Sequence, residues 1–488
     1  MEIDKKEDAV KSYAQIISEL LVASGVDYGD VRVVETRTQG IVVENGKVSS
    51  IISNYNMGFG VRVLKGGFWG FSSSNQLTAL EAEKVIKEAI AIAGSSRAIP
   101  GKGVVLSDED IYVDDYRSHY EIDPFSVDLG EKIDLLLEVD GILRKASEIK
   151  VTRLFLDFQR VRKVFASTEG ALIEQEIVES GGGYSVYAIG EGEFQVRSYP
   201  CSGGNYAAAG YEFVKEMKLA EEAERIREEA RALLSARDVP EGEYDIILGS
   251  HQMALQVHES IGHAVELDRV LGYEASYAGT SFVTTDKLDK FRYGSELMNV
   301  YADATTPGGL GTFGYDDEGV KAQRVPIVKD GIFVGYLSSR ETAPFIGRRS
   351  SGAMRAESWS RIPIIRMTNI NLEPGTWDLE DLIADTKEGL FLDFNRSWSI
   401  DQERLNFQFG TEIAWLIKGG KRVEILKNPV YTGITPEFWA SMDAVGNAGT
   451  WKLWGIPNCG KGEPGQIAHV GHGVPVARFR KVKVRPGK

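Results

Sequence analysis

YDIILGSHQMALQVHESIGHAVE, running from Tyr244 to Glu266, is the stretch on which the organisation of this chain turns. Its first five residues, Tyr244 to Leu248, are a short apolar run rich in β-formers, the pattern of a buried strand. Gly249 breaks the run, and Ser250 stands where a hydroxyl can cap the free N–H groups of a helix that continues to Glu266. On either side of this strand and helix the chain reads differently.

Within the helix lie His258 and Glu259, followed by His263, an H-E-x-x-x-H pattern. In the zinc peptidase signature H-E-x-x-H the two histidines are four apart and share a helix face. Five residues on a regular helix turn through roughly 500°, which leaves the two imidazoles about 140° apart. Either the histidines do not share an ion, or the helix is broken or π-bulged between them. A π turn, with its i→i+5 hydrogen bond, returns them to one face, and Gly262 makes a local break inexpensive. The expectation adopted is distortion. Glu259 then has the position of a general base beside a metal, taking a proton from water and passing it to a leaving amine. His251, seven residues before His258, reads as a helix-start residue and not a ligand.

A catalytic zinc needs a third protein ligand and one open position. There are two cysteines, Cys201 and Cys459. Cys459 lies in the Gly/Pro-rich segment Trp454 to Gly462, read as a polar loop, where Lys461 is near enough to favour a thiolate. Cys201 lies in a similar loop, Tyr199 to Gly204, but in the other half of the chain, and reads as structural. His469 and His472, downstream of Cys459, read as loop histidines.

Working outward, residues 1–236 read as a mixed α/β half. Residues 6–24 carry apolar side chains at helical spacing and end at Gly25. Asn45-Gly46 and Gly66-Gly67 mark two-residue hairpin turns. Helices follow at 78–93 and 129–148, with strands between and after, such as Arg153 to Phe158. Lys215 to Ala236, dense in Glu, Arg and Ala, reads as a solvated linker helix. Residues 237–488 read as a β-rich half with further hairpins at Asp330-Gly331 and Gly419-Gly420. The fold class expected is α+β: an N-terminal half with antiparallel hairpins, and a β-rich half carrying one distorted metal-binding helix.

With 53 glycines among 488 residues but only 15 prolines and no collagen-like period, the glycine excess points to many tight turns. The net charge of −15 disfavours a phosphate backbone as partner. The one basic cluster, Arg478 to Arg485, alternates as a last strand would. Gly309 to Gly314 spells G-x-G-x-x-G, yet neither a strand before it nor a helix after it supports a dinucleotide site. A flexible acidic loop, Asp316-Asp317-Glu318, beside the metal site is expected there. Two distant cysteines form no disulfide framework, Met1 to Asp8 lacks a signal-peptide apolar region, and no run approaches the roughly 18 apolar residues of a membrane span. No membrane association is expected, and a cytoplasmic location is.

His258-Glu259-Ser260-Ile261-Gly262-His263, the Cys459-Gly460-Lys461 segment continuing to Gly465-Gln466, Arg366 to Asn369 before Pro374-Gly375, and Gly314 to Gly319 together resemble the TldD/PmbA (TldD/TldE) family, long described as modulators of DNA gyrase and understood as metallopeptidases. The chain keeps the histidine motif and the cysteine, so it resembles the TldD type and not the metal-free TldE/PmbA type. The resemblance implies zinc on His258, His263 and Cys459, with Glu259 catalytic. It further implies an enclosed site that admits unfolded peptides, in a homodimer or in a heterodimer with a metal-free relative. Gly462-Glu463-Pro464 stands as an insertion-like departure from the family pattern. Two other readings stay open: a non-catalytic regulatory binding protein of the gyrase-modulator kind, and a zinc amidase or deformylase-like hydrolase.

Overall fold

The computed structural model describes residues 2–96, 103–190 and 192–487, with the side chains of 2–8 left aside. The fold is α+β. Its first half is built on an eight-stranded sheet in which long ribbons dominate: Tyr28–Glu44 pairs with Lys47–Lys65 and with Ile149–Ser167, which in turn pairs with Leu172–Gly190. These pairings are antiparallel; Val113–Arg117 alone joins in parallel, against Leu172–Gly190. The turns form where the dipeptides place them. Asn45-Gly46 has φ of 50° and 77°, and Gly66-Gly67 has 60° and 84°, the positive angles that a two-residue hairpin needs.

Helices Glu2–Ala23 and Ala79–Ser96 bury Ala14, Ile17, Leu21, Val85 and Ala89 against Val31, Val33, Phe59 and Val61 of the sheet. Leu129–Leu143 and Leu219–Ser235 cover its other end around Leu154, Leu156 and Tyr184. The second of these is the expected linker helix, but it is not a solvated connection: Leu219, Ala223, Ile226, Ala230 and Leu233 are buried. Most of its charged residues lie on the outer face, Arg227 being buried and donating to the Ile142 carbonyl at 3.0 Å, and Lys218, at φ 52°, separates the helix from a short turn of helix at Glu212–Glu216.

In the second half, Gly242–Leu248 lies between Glu388–Ile400, parallel, and Ala477–Pro486, antiparallel. Ala477–Pro486 pairs on with Pro429–Ile434, that strand with Asn406–Lys418, and Asn406–Lys418 back with Glu388–Ile400, so the pairing closes into a ring. Phe407, Phe409, Tyr431, Phe438, Trp439 and Phe479 fill its centre. The basic tail is the expected last strand: Arg478 pairs with Asp385 and Asp443, and Arg480 with Asp443 and Asp245, while Lys481, Lys483 and Arg485 are exposed. Residues 300–372 add a small four-stranded sheet, and Lys452–Lys461 pairs with Gln466–Val474 as a separate hairpin. No helix among the described residues is long and apolar enough to cross a membrane.

Candidate metal centre

Gly242–Leu248 runs directly into the helix Ser250–Val257, as the opening stretch implies. The cap is different. Ser250 makes no capping bond, and its hydroxyl receives the Trp454 indole N–H at 3.3 Å. The capping acceptor is Asp393, from the strand Glu388–Ile400, which takes the Gln252 amide. A Cβ on Gly249 would stand 2.2 Å from that carboxyl, so only glycine lets the carboxylate approach.

After Val257 the helix widens into a π turn, His258–Gly262, and the His263 amide donates to the His258 carbonyl five residues back. The distortion that the histidine spacing demands is therefore present. Its neighbours hold it. The Ser260 hydroxyl receives Trp439 Nε1 at 2.9 Å and Gln256 Nε2 at 3.1 Å, while the Tyr293 hydroxyl donates to the Ser260 carbonyl at 2.5 Å. Gly262 faces Met367, whose sulfur would lie 2.2 Å from any added Cβ.

The π turn brings His258 Nε2 to 3.4 Å and His263 Nε2 to 3.6 Å from Cys459 Sγ. One donor atom from each residue lies within 4.8 Å of the others, and all three residues are buried, at 5%, 4% and 4% exposure. Cys459 is not in a loop: it sits on the strand Lys452–Lys461, where a bulge between Ile456 and Cys459 re-aims it.

The surrounding bonds settle which imidazole nitrogens are free. His472 Nδ1 faces the Ile370 carbonyl at 3.2 Å and must donate to it. Burial keeps His472 neutral, so its Nε2 accepts, 2.8 Å from His258 Nδ1. His258 then carries its proton on Nδ1 and presents a bare Nε2. His263 Nδ1 lies 2.9 Å from Glu266 Oε2, which fixes the same tautomer there. Burial draws the pKa of both candidate ligand histidines down, toward the neutral form that binds metal. Burial pushes the Cys459 thiol up, but the His263 contact and the Arg366 charge outweigh it, and the net direction is down. Two imidazole lone pairs and an acidified thiol suit a borderline-soft ion such as zinc. These residues fit the implied group.

Lys461 has no part in acidifying the thiol: its ammonium binds Asp268 at 2.6 Å and the Ile365 carbonyl at 2.7 Å. Arg366 takes that place, with one guanidinium nitrogen bonded to the Cys459 carbonyl and another to the Gln466 carbonyl at 3.1 Å.

The three residues open on a cavity of about 950 Å³ whose far wall belongs to the N-terminal sheet and its loops, at Phe155, Asp157, Cys201 and Tyr206. Glu259 lines it and accepts from Arg404 Nη1 at 2.7 Å. Cys201 is in the wall but not in the ligand cluster; its thiol donates to the Gly204 carbonyl at 2.8 Å, and burial raises its pKa well above the ordinary value. His251 is half-buried in the cavity wall and accepts from the Asn395 amide at 3.3 Å, and desolvation lowers its pKa to about 3.

Two further expectations are overturned. His469 and His472 are strand residues of Gln466–Val474, not loop residues. They face opposite ways: His472 meets His258, and His469 meets Glu179 of the N-terminal sheet at 2.6 Å. The acidic segment is no flexible loop either. Asp316, Asp317 and Glu318 are at most 4% exposed, with Asp317 bonded to Lys163 and Glu318 to Arg62 at 3.0 Å. The segment fastens the two halves together.

Comparison with known proteins assigns the family. Three family models match in succession: PmbA/TldA metallopeptidase domain 1 over residues 29–93, the central domain over 122–234, and the C-terminal domain over 241–486. A metalloprotease of Methanocaldococcus jannaschii is 33% identical over 92% of this chain and 94% of its own length. A zinc metalloprotease TldD homolog of Saccharolobus solfataricus is 23% identical over 94% of this chain and 97% of its own. Among solved structures, a candidate modulator of DNA gyrase from Thermotoga maritima superposes with a TM-score of 0.79 at 16% identity, covering 97% of this chain and 99% of that one. TldE from Thermococcus kodakarensis gives 0.75 at 16%, covering 96% and 99%. The three family models and the curated relatives place the fold in the metallopeptidase class. The chain belongs to the PmbA/TldD metallopeptidase family.

Proposed function

We propose that the protein is a zinc-dependent peptidase with His258, His263 and Cys459 as metal ligands and Glu259 as general base. The observation that carries this reading is the π turn: it brings two bare Nε2 atoms to one cysteine sulfur and sets Glu259 on the same turn, facing the cavity. A zinc ion held there supplies Lewis acidity toward a carbonyl and eases the deprotonation of water. Glu259 takes the proton of the attacking water and delivers it to the leaving nitrogen as the new C–O bond forms and the C–N bond breaks. The buried position of the three ligands, deep in a cavity walled by both parts of the chain (1–236 and 237–488), favours unfolded peptides or flexible segments as substrates. Two free cysteines, one needed as a thiolate, suit a reducing compartment such as the cytoplasm.

A homodimer, or a heterodimer with a TldE-type subunit, is the assembly we infer; likeness to a TldE structure supports the second. The gyrase-modulator description of another structural neighbour favours one further reading, a regulatory binding protein without catalysis. Metal analysis together with peptide cleavage by Glu259→Gln decides between them. The peptidase reading expects retained zinc and a loss of turnover of at least about 100-fold. Unchanged cleavage by that variant would sink it, and a wild type that holds zinc but cuts no peptide would favour regulation.

A further inference from the structure

The hairpin joining Glu388–Ile400 to Asn406–Lys418 turns over residues 401–405, and its tip is tightly held. The amides of Thr280 and Phe282 donate to the carbonyls of Gln402 and Glu403 at 3.1 and 2.9 Å, and the Thr435 hydroxyl donates to the Arg404 carbonyl at 2.8 Å. Arg404 itself has φ of 63°, a left-handed conformation that a non-glycine residue keeps only when its surroundings impose it. What this arrangement delivers is a guanidinium into the wall of the metal cavity, 14% exposed.

A guanidinium has five N–H donors. Among the described residues the Arg404 guanidinium makes one hydrogen bond, from Nη1 to Glu259 Oε2, and its Nε is buried with no partner. That Nε is enclosed by protein, whereas the Nη end of the guanidinium, on a side chain that stays partly exposed in the cavity wall, has N–H donors beyond the one spent on Glu259. The bond to Glu259 holds those donors beside the carboxylate that activates water in the proposed reaction, on the wall of the same cavity.

We propose that Arg404 is a further catalytic residue: it binds the carbonyl oxygen of the scissile peptide bond and stabilises the negative charge which that oxygen gains on water addition. This rests on the peptidase reading above. As the water oxygen bonds to the carbonyl carbon, the C=O π electrons move onto the oxygen facing Arg404. Glu259 carries the water proton to the leaving nitrogen, and the electrons return as the C–N bond breaks. Arg404 keeps its protons throughout. A donor placed before the charge develops needs no reorganisation during the reaction.

The test uses the full-length, zinc-loaded protein as wild type, Arg404→Ala and Arg404→Lys; both substitutions keep a Cβ at the left-handed position. Zinc content and melting temperature report the fold. Cleavage of an unstructured peptide is expected to lose about 100-fold in kcat in Arg404→Ala, with KM moving less than about threefold. Guanidinium added to the solution should restore part of that rate. A phosphinic peptide, which mimics the tetrahedral oxyanion, should bind Arg404→Ala about 100-fold more weakly, while the parent amide peptide, measured in the Glu259→Gln background, should shift less than about threefold. A kcat within about threefold of wild type, a loss confined to KM, or equal affinity for the phosphinic peptide overturns the proposal. If Arg404→Ala does not fold, Arg404→Lys takes its place in every arm, with an intermediate loss expected. If the wild type cleaves nothing, the peptidase reading fails separately, and the phosphinic comparison still judges Arg404.

Discussion

His472 Nε2 stands 2.8 Å from His258 Nδ1, and the same His472 ring donates its Nδ1 proton to the Ile370 carbonyl. This relay makes a backbone carbonyl on one strand decide which nitrogen of a helix histidine is bare. Replacing His472 with Ala leaves the buried His258 Nδ1–H without an acceptor and its ring free to turn. Outer partners of ligating histidines typically contribute 10- to 100-fold in metal affinity, so zinc affinity should fall by about that factor. Competition with a chromophoric chelator measures it. His472→Gln, whose side-chain oxygen can accept the same proton, should recover part of the loss; equal zinc affinity in all three proteins would show that the relay does not hold His258.

Metal removal should also be visible as stability. The apo site leaves the two bare Nε2 atoms and the thiol buried close together, with only one another as partners. An ion present at about a thousandfold its dissociation constant adds about 4 kcal/mol to the folded state. Chelation should therefore lower the melting temperature of the wild type by several degrees and leave Cys459→Ser nearly unmoved, because that variant has little bound metal to lose. Calorimetric scans with and without chelator check this. A wild type indifferent to the chelator would contradict the ligand assignment.

The parts of the fold legible from sequence are those fixed by local rules. The hairpin dipeptides act through φ angles that few residues accept, and the five-residue histidine spacing leaves a π turn as the way to a shared face. The parts that were missed depend on partners far away in the chain. Ser250 loses the cap to Asp393, more than a hundred residues on, because Gly249 lets that carboxylate approach closely. Cys459 reads as a loop residue only because glycine, proline and asparagine mask a bulged strand. His469 and His472 carried a readable signal: an odd spacing on a strand sends two side chains to opposite faces. Arg404 carried none, since its role comes from a hairpin tip that reaches across to Glu259.

Asp393, the distant capping group, makes the last prediction. Burial raises its pKa to about 6, against the lowering effect of the Phe394 and Gln252 amides and of Arg197. In the unfolded chain an aspartate titrates near 3.9. Between about pH 4 and pH 6 the folded protein thus holds a proton that the unfolded chain has released, and stability contributed by this group is lost as pH rises through that window. The full shift corresponds to about 2–3 kcal/mol. Asp393→Asn keeps an acceptor for the helix amides but cannot ionise, so its stability relative to wild type should improve as pH rises from 4 to 7. Denaturant unfolding of the two proteins across that range measures the difference. A difference that stays flat, or that moves the other way, would show that the Asp393 carboxyl is already ionised in the folded protein at pH 4.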